Sequence, residues 1–100
     1  MSVTMCVYYR EPEDAAMFEK RYVEEHLPLV RSYANVQHSS FSKVSRRIMG
    51  EFPYAYTFVG TWADKDGWKA DMQSEAAAKA TEHAKTLGAA FDVVVYEDLG

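Results

Sequence analysis

Four runs of β-branched and aromatic residues alternate with two runs of helical periodicity along this chain, and their order limits the folds open to it. The first run, SVTMCVYY (Ser2 to Tyr9), stops at the turn-like REPED and reads as a strand. A helix is predicted from Pro12 or Glu13 to Glu25, with acidic residues in its first turn, where they complement the helix dipole. Ala15, Phe18, Tyr22, Glu25 or His26, and Leu29 fall on one face, and Glu19, Lys20 and Glu24 face away. Pro28 lacks an N–H and crowds the preceding turn, so the helix is predicted to break there. PLVRSY then restarts in a changed direction, with the proline in its first turn.

NVQHSSFSKVSRRIM alternates Val36, His38, Ser40, Ser42, Val44 and Arg46 against Gln37, Ser39, Phe41, Lys43 and Ser45, a long and partly exposed strand. GEFP turns the chain into YAYTFVGTW, where Tyr54, Tyr56, Phe58 and Trp62 are predicted to share one face. ADKDGWKADMQ suggests a turn and a short helix. Ser74 then caps the alanine-rich SEAAAKATEHAKTLG, which Gly88 stops, and FDVVVYEDL is the last strand. The order is β-α-β-β-α-β, an α+β, ferredoxin-like arrangement: a four-stranded antiparallel sheet with helices on one face. One hundred residues suffice for a single core, so residues 1–100 are read as one domain. Strands one, three and four carry apolar groups on both faces, and no residues are left over to cover the second. A second copy of the chain is the simplest cover, so a homodimer paired through its sheet faces is expected.

A net charge of −4 lacks the basic footprint of a nucleic-acid partner. Neither a signal-like N-terminus nor an apolar run of membrane-spanning length is present, so no membrane partner and a cytoplasmic location are expected. Cys6 is the only cysteine and reads as a small buried apolar residue. The three histidines, His26, His38 and His83, show no metal-ligand spacing, and nothing supports haem ligation. DKDG fits turn chemistry better than a calcium loop. No metal and no cofactor are expected.

FEKRYVEEHLPLV (Phe18 to Val30) resembles the Phe-x-x-x-Tyr-x-x-x-His-x-Pro-Leu signature of the EthD family, named after ethyl tert-butyl ether degradation. The resemblance extends over most of the chain, including GEFPYAYTFVGTW as the Pro-Tyr-containing central strand. Two departures stand out. SYANV replaces the Pro-Gly turn common after the signature helix, and the second helix carries Glu82 and His83 near where relatives have an aspartate. The resemblance implies a dimeric α+β barrel with a pocket between sheet and helices. The wider group includes cofactor-free monooxygenases, lactone isomerases, cyclases and haem-handling enzymes, and the founding EthD member is an accessory protein of an ether-degrading oxygenase system. A shared fold does not by itself carry a reaction across.

His26 is the first candidate for chemistry, because its titration range suits proton transfer near neutral pH. Tyr22, one turn earlier, offers a hydroxyl to a substrate or to the imidazole. The same position also suits a histidine that merely satisfies loose carbonyls where Pro28 interrupts the helix. Tyr56 and Trp62 are candidate ligand-binding residues, with packing as the competing role. Tyr8 and His38 would join them if their strand faces agree, which alternation alone does not decide. The leading expectation is a dimer that binds a small hydrophobic or aromatic metabolite and catalyses cofactor-free isomerisation, cyclisation or lactone rearrangement. The alternatives are a cofactor-free monooxygenase, or a non-catalytic accessory protein with a degradative oxygenase partner.

Overall fold

The computed structural model describes all 100 residues. The elements are β1 (Val3–Arg10), α1 (Ala15–Arg21), a π-helical turn (Tyr22–His26), α2 (Leu27–Arg31), β2 (Val36–Lys43), β3 (Tyr54–Trp62), α3 (Lys65–Met72), α4 (Glu75–Ala84) and β4 (Phe91–Glu97). The sheet order is β2-β3-β1-β4 with every neighbouring pair antiparallel, the α+β ferredoxin-like arrangement. No helix is long and apolar enough to cross a membrane.

The side chains of Val3, Met5, Val7 and Tyr9 on β1 join Tyr56, Phe58 and Trp62 on β3 in one core with helix residues such as Phe18, Tyr22 and Val30. The opposite face of the sheet has no helix over it. It carries Thr4, Cys6 and Tyr8 of β1, opposite Tyr96, Val94 and Asp92 of β4.

The first helix differs from the expectation at both ends. Asp14 caps it, accepting from the Met17 N–H at 3.1 Å, so the acidic residues precede the first turn rather than filling it. At the other end the backbone does not break before Pro28. It widens into the π turn, in which the Leu27 N–H reaches back five residues to the Tyr22 carbonyl. Pro28 then sits in the first turn of α2, where a missing N–H costs least. α4 starts as read, on the Ser74 side-chain cap, and α3 starts on a cap from Asp64 that the sequence reading did not single out. Gly88, at φ +75°, follows the end of α4, and its carbonyl accepts from Glu13 N–H at 3.0 Å.

Two bulges change which face the strand residues occupy. Between β1 and β3 the register runs Tyr9 to Tyr56 and then Arg10 to Tyr54, leaving Ala55 as an extra residue. Tyr54 therefore does not share the face of Tyr56, Phe58 and Trp62. It lies on the open face, its ring centroid 5.3 Å from that of Tyr8, and donates its hydroxyl to Asp92 at 2.7 Å. Between β2 and β3, Gln37 is the extra residue. That bulge puts Val36 on the same side as Phe41, with His38 opposite. β2 also stops at Lys43, earlier than the alternation suggests, and residues 44–53 form an irregular connection tied by Arg47 to the Phe52 and Tyr54 carbonyls.

Candidate active site

Small side chains on α4 leave room beneath the sheet. Ala77, Ala80 and Ala84 face inward and are buried, and none reaches across to β4. The result is a cavity of about 480 Å³, within the range that holds small metabolites. Its roof is Met5, Val7 and Tyr9 of β1 with Phe91 and Val93 of β4, and its floor comes from the π turn, α2 and α4. Among its lining side chains the titratable ones are Tyr9, Tyr22, Tyr33, His26 and Glu82; no lysine or arginine contributes. The site is therefore mostly apolar, with polar groups from β1, the π turn and α4 among its walls.

The π turn supplies two of those groups. Tyr22 and His26 are both buried, their ring centroids 4.7 Å apart, and both line the cavity. Phe41 stacks on the Tyr22 ring at 3.8 Å and fixes its plane. The Tyr22 hydroxyl lies 3.1 Å from that of Tyr9, so each partners the other. Burial pushes the pKa of Tyr9 up to about 12, opposed by its bond to Tyr22, and burial raises that of Tyr22 further. Both hydroxyls are neutral near pH 7.

His26 Nδ1 lies 3.0 Å from Nδ1 of His83 on α4, and His83 Nε2 lies 2.9 Å from a Glu25 carboxylate oxygen. The line therefore leaves the π turn, crosses to α4 and returns to the π turn. His26 Nε2 has no hydrogen-bond partner in the protein, which leaves it as the ring nitrogen available to the cavity. Burial, assisted by the neighbouring His83, pushes the His26 pKa down to about 4. At Glu25 the bond to His83, and then Arg21, hold the carboxyl below its usual range.

The other sequence-based candidates lie elsewhere. Tyr56 is in the core beside the cavity, its ring packed on Phe18 and Phe41 and its hydroxyl donated outward to Glu19. Trp62 is fully enclosed and donates its indole N–H to Asp71 at 2.7 Å. Tyr8 is on the open face, its hydroxyl 3.0 Å from that of Tyr96. His38 is exposed on that same face, opposite Thr61. Neither Tyr8 nor His38 reaches the cavity, because the pleat and the bulge at Gln37 aim them through the other side of the sheet.

Three site residues were not singled out from the sequence: Tyr9, His83 and Glu25. For Tyr9 a signal existed, since Val3, Met5, Val7 and Tyr9 form the more apolar phase of β1. His83 was visible only as a departure from the family pattern. Nothing in the sequence joins it to residues 57 and 58 positions earlier.

No family model matches the chain, and no curated protein matches it in sequence. Solved structures do match in fold. An ethyl tert-butyl ether degradation (EthD) family protein from Bacillus halodurans superposes with a TM-score of 0.88 at 20% identity, over 99% of this chain and 100% of the other. SnoaB, a cofactor-independent oxygenase from Streptomyces nogalater, gives 0.74 at 12% identity, over 99% and 94%. A dimeric ferredoxin-like protein of unknown function from Jannaschia sp. CCS1 gives 0.76 at 16%, over 98% and 100%. The chain thus has the fold of these proteins.

Proposed function

We propose that this chain is an EthD-like dimeric protein that binds a small, uncharged, apolar or aromatic metabolite between its sheet and helices. Cofactor-free proton transfer on that metabolite is the activity, with His26 as acid/base and the Tyr9–Tyr22 hydroxyl pair as anchor for a substrate oxygen. The observation that carries this reading is the unpartnered Nε2 of His26, held at a cavity whose other walls are mostly apolar. The absence of a lining lysine or arginine favours an uncharged ligand over a carboxylate or phosphate. Isomerisation, cyclisation and lactone rearrangement all need what this reading assigns to the site: a base and a neutral hydroxyl donor among apolar walls. An accessory role would fit a filled core around His26 better than this cavity.

The fold shared with SnoaB favours a second reading, a cofactor-independent oxygenase. There the same base would deprotonate a substrate whose carbanion then reacts with dioxygen. The dimer is proposed through the open face of the sheet, where Val94 and Tyr96 are 40% and 44% exposed beside the buried Cys6. The dimeric Jannaschia protein supports a dimer without specifying the faces that pair.

The test is a screen of small aromatic and lactone metabolites, followed by turnover with and without dioxygen and without added metal or flavin. His26→Ala is expected to abolish turnover while the fold and dimer persist. Equal activity per folded molecule would assign His26 to packing alone, and oxygen consumption would select the oxygenase reading.

A further inference from the structure

We propose that Glu25 and His83 are positioning residues for His26, forming a carboxylate–imidazole–imidazole relay. The relay aims the lone pair of His26 Nε2 at the cavity and carries positive charge out of the buried ring when that nitrogen takes up a proton. This rests on the reading of His26 as the site's base.

The direction of each hydrogen bond follows from what its partners can do. An ionised carboxylate only accepts, so the 2.9 Å contact to Glu25 puts a hydrogen on His83 Nε2. A neutral His83 then has a bare Nδ1, which accepts from His26 Nδ1–H across 3.0 Å. His26, neutral in turn, is left with its lone pair on Nε2, the atom without a protein partner. One surface carboxylate thereby sets the tautomer of a buried ring two residues' reach away.

The relay also answers an energetic difficulty. His26 is 4% exposed, and its lowered pKa would make an isolated imidazole there a weak proton acceptor near neutrality. In the step proposed, a substrate C–H or O–H proton passes to His26 Nε2, and the bonding electron pair stays on the substrate. The Nδ1 proton of His26 passes to His83 Nδ1. His83 becomes the imidazolium, beside the Glu25 carboxylate, and His26 remains neutral with its hydrogen on Nε2. Reversal of both transfers returns a proton to the substrate, at the same or another atom. No oxidant or reductant is needed.

The surrounding charges fit. Arg21 holds the Glu25 carboxylate at 3.2 Å and donates to the Thr86 carbonyl at 2.7 Å, clamping the relay to the end of α4. On α4, Glu82 and Lys85 flank His83 and pair with each other at 3.3 Å. From the π turn and β1, Tyr22 and Tyr9 line the cavity as neutral groups, their hydroxyls paired with each other.

Nitrogen-15 NMR of the histidine rings in the ligand-free protein tests this without a substrate. His26 is expected as the Nδ1–H tautomer at pH 8. On acidification it should switch to Nε2–H while remaining neutral, as His83 gains its second proton. His83→Gln keeps an acceptor for His26 Nδ1–H but takes no proton: the switch should vanish, and turnover should fall by about 100-fold or more. In Glu25→Gln, an exposed and structurally mild change, the switch should move to lower pH, because the anionic partner of the His83 imidazolium is lost. His26 as Nε2–H at pH 8 would overturn the relay. So would a His83→Gln protein, folded by near-ultraviolet circular dichroism, that keeps the switch and wild-type turnover. A correct tautomer and switch with no turnover on any substrate would instead remove the proposed activity and leave the relay standing.

Discussion

Tyr9 and Tyr22 touch through hydroxyls that have no other partner, so each keeps the other's buried oxygen satisfied. Tyr22→Phe strands the Tyr9 hydroxyl and should cost about 1–2 kcal/mol, read from denaturant midpoints. Tyr9→Phe with Tyr22→Phe should cost less than the two single changes summed, because the second removes a group already orphaned. His26 makes stability depend on pH. Its folded pKa, about 4, lies below the ordinary value of 6.5, so the unfolded chain binds the proton more readily. The stabilisation from keeping this ring neutral is complete above about pH 6.5 and is lost as pH falls toward 4. Between pH 7.5 and 4.5 the wild type should lose about 2 kcal/mol more than His26→Gln does, since Gln does not titrate. Equal losses would place the acid sensitivity in other groups.

At the scale of elements, the π turn and the bulges decide the site. A regular helix advances about 100° per residue, and the widened turn changes which side chains of YVEEH face the sheet. It presents Tyr22 and His26 inward and leaves Glu25 outside, within reach of His83. Farther along, Asp71 joins α3 to β3 and to the start of β2. Its carboxylate accepts from the Trp62 indole at 2.7 Å, from Asn35 N at 3.1 Å and from Asn35 Nδ2 at 3.0 Å. Asp71→Ala orphans all three donors and should destabilise by about 3 kcal/mol in thermal or denaturant unfolding. The cavity is lined by other residues, so ligand affinity per folded molecule should change little. That outcome would also separate Trp62, an anchor of this network, from the ligand wall that its aromatic character suggests.

At the scale of the molecule, the chain presents a sheet with helices on one face and a mixed apolar face without cover. Val94→Glu places a charge midway along the edge strand β4 on that face and should convert the proposed dimer to monomer in sedimentation equilibrium while leaving the secondary structure intact. A protein that is already monomeric in its native form would remove the dimer from the proposal.

Element order, the ferredoxin-like arrangement, the cap at Ser74, and the placing of Phe18 and Tyr22 on one helix face were legible in local pattern, because these depend on near neighbours in the chain. The choice of His26 over Glu25 for the inner face was left to the π turn. Tertiary structure alone decided the rest. A bulge is a one-residue mismatch between two strands, and no single strand records it, so Tyr54 could not be separated from Tyr56 in advance. The phase of β1, hence Tyr9 rather than Tyr8, is set by which side the helices cover. The Glu25–His83–His26 line joins positions far apart in the chain, and only the packing of α4 against the π turn brings imidazole to imidazole at 3.0 Å.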